Sequence, residues 1–65
     1  MSFALFEVVF LNENLSDEGL LVGTKGTVID IYIQPSEAYE VEFCDSAGRT
    51  IATLALLPNQ LRLNE

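Results

Sequence analysis

The chain has no histidine and no tryptophan, a single cysteine, two prolines and three basic residues. Without histidine it lacks the side chain best suited to moving protons near neutral pH, and an enzyme is not expected. Cys44 stands alone, so no internal disulfide can form. Secreted domains of this size usually depend on such staples, which makes a cytoplasmic setting the expectation. Three Lys and Arg face ten Asp and Glu, for a net charge of −7. So acidic a surface repels phosphate backbones and anionic lipid alike. No apolar run approaches the roughly 20 residues of a membrane span. Residues 1–10 carry no basic segment and Glu7 interrupts them, unlike a secretory signal.

What is present is β-forming and apolar. Hydrophobic residues make up 49% of 65 residues, enough for one core and one domain over residues 1–65. A chain this short hides only about 60% of its unfolded surface, so most apolar side chains are needed for packing. The stretch from Gly23 to Phe43 organises the rest. Two β-rich runs flank Gln34-Pro35-Ser36-Glu37, a hairpin signal. In the second run Tyr39, Val41 and Phe43 share one face and Glu40 and Glu42 the other, so one side is core and one is wet.

Taken in order, a first strand is expected at about Glu7 to Leu11, with residues 1–6 as a lead-in covering one end of the core. Asn12 to Val22 reads as a long loop with one helical turn, Ser16 as its cap and Gly19 as its stop. Leu15, Leu20 and Leu21 are expected to fold this loop onto the core. Gly23 and Gly26 flank the start of the second strand, Thr27 to Ile33, and are assigned to bends. Thr27, Ile29, Ile31 and Ile33 fall on one face of that strand, and Val28, Asp30 and Tyr32 on the other. Apolar groups on both faces suggest a bulge, or a strand shared by two small sheets. Strands at Ala38 to Cys44 and Arg49 to Ala55 follow, joined by a type I turn with Asp45 first and Gly48 fourth. A short 3₁₀ turn at Leu56 to Gln60 precedes a last strand, Leu61 to Leu63, and a free end at Asn64-Glu65. The pattern predicts an all-β fold: a small SH3-like five-stranded antiparallel barrel with a long first loop and a 3₁₀ turn before the last strand. Closure would hide the strand edges.

No catalytic, cofactor-binding or metal-ligating residues are assigned. Cys44 is flanked by Glu42 and Asp45, which oppose thiolate formation, and reads as a partly buried structural thiol. Gly23-Thr24-Lys25-Gly26-Thr27 lacks the spacing of a phosphate loop and leads into a strand instead of a helix. Lys25 is expected to pair with a nearby carboxylate. Glu40 and Glu42, with Glu37 and Asp30 across the hairpin, read first as a solvated strand face, then as a landing patch for Lys and Arg, and last as a cation site. Tyr39 belongs to the core face, and Tyr32 is the surface tyrosine. Leu54, Leu56 and Leu57, if exposed together, would mark an interface. The residues assigned to partner binding are Glu40, Glu42, Asp30, Tyr32, Leu15, Asp17, Glu18 and Leu20. The expected partner is a protein with a basic or mixed surface; nucleic acid and membrane are not expected, and self-association stays open.

Phe6-Glu7-Val8-Val9, Leu15-Ser16-Asp17-Glu18-Gly19-Leu20, Gly23-Thr24-Lys25-Gly26-Thr27-Val28, Tyr39-Glu40-Val41-Glu42-Phe43, Asp45, Gly48-Arg49-Thr50 and Leu61 together resemble the domain of unknown function 4926 family. Its members are short bacterial proteins, frequent in cyanobacteria. Glu7 stands where the family's first strand usually carries Asp. The resemblance implies an SH3-like barrel, no established activity, and an antitoxin-like or accessory place in a two-protein system. A looser likeness, to the SH3-like subunits of photosynthetic electron transfer, gives the alternative of an accessory subunit in a redox or photosynthetic complex. A nucleic-acid-binding barrel is the third reading. Likeness of barrel alone carries little about function.

Overall fold

Alternation along one strand sets the inside of this molecule. In the computed structural model, which describes residues 2–64, that strand is β3 (Ala38–Cys44). Tyr39, Val41 and Phe43 are fully buried, while Glu40 and Glu42 are half-buried on the opposite face. The other strands are β1 (Val8–Leu11), β2 (Lys25–Tyr32), β4 (Thr50–Leu56) and β5 (Leu61–Arg62). All five pair antiparallel in one sheet, in the order β4-β3-β2-β1-β5. Single 3₁₀ turns lie at Ser16–Glu18 and Pro58–Gln60.

The expected closure is absent: β5 has two residues and pairs with β1, and β4 pairs with β3 alone. A last strand that short cannot also reach β4, so the sheet stays open at that edge.

The core is built around a cross-strand row, Val9–Gly26–Phe43–Ala52. Small residues stand on both sides of Phe43, which gives its ring room. A Cβ at position 26 would lie 2.6 Å from Val41 Cγ1 and 2.8 Å from Phe43 Cε1. Gly26 therefore sits inside β2 for lack of space, not at a bend as the sequence implied. Gly23 does occupy a bend, with φ +88°, in the region that favours glycine. Burying side chains such as Val9, Leu11 and Phe43 contributes about 1.5–3 kcal/mol each.

A bulge does occur in β2, between Val28 and Asp30. It reverses the strand's alternation. Thr27 pairs with Glu42 on the outer face, whereas Ile31, still 36% exposed, pairs with Tyr39 on the core side. The single isoleucine face assigned from sequence is thus split, because one extra residue shifts every later side chain.

The lead-in covers one end of the core. Phe3 is buried with its ring edge-on to Tyr39, centroids 5.2 Å apart. The Phe3 amide donates to the Tyr39 hydroxyl at 3.2 Å, and that hydroxyl donates to the Glu37 carboxylate. Glu37 therefore serves Tyr39 and does not join Glu40 and Glu42. The bond to Glu37 is the main cause holding the Tyr39 pKa above its ordinary value.

Of the loop leucines, Leu20 is buried and Leu15 half-buried, but Leu21 is 67% exposed. Leu15 and Leu20 bridge each other through N–H to C=O bonds of 2.8 and 3.2 Å, which turns the next residue outward. The 3₁₀ turn between them stops at Gly19, φ +71°, as expected. Its cap position is Leu15, with no side-chain cap, so Ser16 does not fill the role assigned to it.

Candidate interaction surface

Eight residues are singled out by the sequence, and the fold separates them into three environments. Asp30, Tyr32, Glu40 and Glu42 lie on the outer face of the sheet. Asp30 is the cross-strand partner of Glu40, and Glu40 of Ala55. The Tyr32 hydroxyl donates to Glu40 Oε1 at 3.0 Å, and the Thr50 hydroxyl to Glu42 Oε2 at 3.0 Å. Asp30 Oδ1 accepts the Ile31 amide at 2.8 Å. The bond to Glu40, reinforced by desolvation and by the Glu40 and Asp30 charges, raises the Tyr32 pKa. Tyr32 thus stays a neutral donor. It holds a carboxylate and remains 39% exposed.

Asp17 and Glu18 form the second environment. Both are exposed on the 3₁₀ turn that follows Leu15. This turn and β4 flank a groove of about 410 Å³, lined by Asn14 to Glu18 on one side and by Leu54, Ala55 and Leu56 on the other. That volume lies within the roughly 300–1,000 Å³ of ligand-sized clefts. Leu20 forms the third environment, alone: it is a buried core residue. Leu15 packs against the core and also lines the groove.

The two acidic areas touch at Ala55. It ends the row Asp30–Glu40–Ala55 on the outer face and also lines the groove. The β4 wall was missed as a unit by sequence reasoning. Leu54, Leu56 and Leu57 are not exposed together: Leu56 is buried, Leu54 half-buried and Leu57 49% exposed. The usable signal was an uncharged seven-residue strand, Thr-Ile-Ala-Thr-Leu-Ala-Leu.

The cations lie elsewhere. Arg49 Nε meets Asp45 Oδ2 at 3.1 Å, the one ion pair among the described residues. Arg62 donates to the Leu11 carbonyl and to Asn12 Oδ1, fastening β5 to β1. Lys25 forms no ion pair among the described residues, contrary to expectation; the carboxylate across the outer face, Glu42, stands opposite Thr27. Asp45 Oδ1 accepts the Arg49 and Ala47 amides, both at 2.9 Å, and the Arg49 bond is the leading cause that lowers its pKa. Cys44 is exposed, not partly buried, because it ends β3 beyond the last core position, Phe43. No three acidic or cysteine side chains among the described residues converge as metal ligands would.

The family model for a domain of unknown function, DUF4926, matches residues 5–63. The chain belongs to this family. The match takes in all five strands, the Asn14 to Glu18 wall and the β4 wall. No curated protein and no solved structure matches the chain. No helix among the described residues is long and apolar enough to cross a membrane.

Proposed function

We propose that this DUF4926 chain is a non-enzymatic protein-interaction module that receives a basic segment of a partner. The observation that carries this reading is the groove between the Asp17-Glu18 turn and β4, open to solvent and edged by carboxylates in a chain of net charge −7. Attraction between oppositely charged surfaces speeds encounter and selects partners. The outer-face carboxylates Asp30, Glu40 and Glu42 extend the same field past Ala55. The absence of histidine and the exposure of Cys44 beside acidic neighbours support a binding role over catalysis. The unpaired thiol fits a cytoplasmic setting.

The strand order supports the SH3-like reading of the fold, since β5 returns beside β1 and β4 lies farthest from it. The finer role, the antitoxin-like or accessory half of a two-protein system, rests on the family resemblance. Co-purification with the product of the adjacent gene tests it. A complex that weakens as salt rises, and weakens further in the Asp17→Asn, Glu18→Gln double variant, is the expected result. Absence of any complex at low salt, with both proteins folded, removes the reading.

A further inference from the structure

We infer that the groove binds its occupant by strand addition: an extended basic segment pairs with the free edge of β4 as a sixth strand. This rests on the interaction-module reading and specifies its geometry.

Three successive residues, Leu54, Ala55 and Leu56, line the groove. Neighbouring side chains of a strand point to opposite faces. A cleft touching all three is accounted for by a course along the strand's edge, where β4, the outermost strand, presents unpaired backbone groups. Among the described residues nothing pairs with that edge, and no other backbone hydrogen bond reaches it.

Exposed edges are normally blunted by lysine, proline, shortness or a bulge. The opposite end of the sheet follows this rule, since β5 has two residues. β4 does not. It has seven residues, with no charge and no proline. Its one irregularity lies near its start, between Phe43 and Cys44 of β3, and Ala52 to Leu56 keep unbroken register with Phe43 to Tyr39. About five residues, an ordinary strand length, are thus available as a template.

Charge decides between a second copy and a different protein. β4 of a second copy brings no cation to Asp17 and Glu18, and two chains of net charge −7 repel. A segment alternating apolar residues with Lys or Arg suits both walls. Its apolar side chains would continue the Leu54 and Leu56 side. Its cations would extend the row Asp30–Glu40–Ala55, which already holds two carboxylates.

The test uses the full chain and a peptide of about eight alternating Lys and Val residues. Two further peptides are N-methylated at every odd or at every even position, which blocks the donors of one edge and keeps the charge. Binding of the plain peptide with new amide protection confined to β4 is the expected outcome. One of the two N-methylated peptides should then bind about tenfold or more weakly, because several hydrogen bonds are lost together. Equal binding of all three overturns strand addition while leaving the acidic-module reading in place. A free chain that is already dimeric, with β4 amides protected before peptide is added, overturns it too, in favour of self-pairing. No binding of any peptide overturns it as well, and co-purification with the natural partner shows separately whether the module reading survives.

Discussion

β3 and β4 have the same length, lie side by side in one sheet and share a register, yet they hold opposite positions in this molecule. β3 is paired along both edges, and every second side chain is fully buried. β4 is paired along one edge, and only its final residue, Leu56, is buried. Pairing on two edges satisfies the backbone of β3 within the domain. Pairing on one leaves the backbone of β4 to water or to another chain. The strand paired on both edges and the strand with a free edge thus lie side by side.

Damage to β3 should have the largest effect on the molecule. Phe43→Ala should cost about 3–5 kcal/mol, since it empties the centre of the core. A domain of this size holds only about 3–10 kcal/mol in total, at roughly 0.05–0.15 kcal/mol per residue. Denaturant melts should show the variant largely unfolded; a change below about 1 kcal/mol would place the core elsewhere. Gly26→Ala, beside Phe43, should cost about 1–3 kcal/mol by overpacking, because its Cβ would come within 3 Å of the fully buried Val41 and Phe43 side chains. Its melt should shift clearly while β4 remains paired.

The turn between the two strands gives a smaller, pH-dependent effect. The Asp45 carboxyl has its pKa lowered by the Arg49 amide first, below the ordinary 3.8. Its contribution is present above that value and fades as pH falls through the lower folded value. Thermal melts from neutral pH down to about pH 2–3 should show this loss in the native chain, and Asp45→Asn should flatten it. An identical acid profile in both would show that the turn carries no such linkage.

The least effect on stability belongs to β4. Ile51 is 53% exposed and stands at the irregularity between β3 and β4, so Ile51→Lys should change stability by no more than about 0.5 kcal/mol. A cost as large as that of Gly26→Ala would show that β4 contributes to the core as heavily as β3 does, and the contrast between them would disappear.

Much of the fold was legible in the chain. Tyr39-Glu40-Val41-Glu42-Phe43 announced its two faces because a strand has a period of two and these residues keep it without interruption. Asp45 and Gly48 announced their turn because local side-chain-to-backbone bonds need no distant partner. The candidate surface was half legible. The outer face carrying Glu40 and Glu42 follows from alternation, and Leu20 folds onto the core as expected, but Leu21, expected beside it, is exposed. Nothing local separates Leu20 from Leu21; one points inward and the other outward only because the Leu15–Leu20 bridge fixes the loop.

Composition and local alternation by themselves determined the all-β class, the buried face of β3, the turn at Asp45 and the acidic surface. Those depend on residues a few positions apart, and short-range sterics and hydrogen bonding settle them. Tertiary structure alone decided that Gly26 makes room for Phe43, that a bulge turns Ile31 toward the core side, and that β4 keeps a free edge beside Asp17 and Glu18. Each of these depends on which strand lies next to which, a matter of long-range packing that no neighbouring residue encodes.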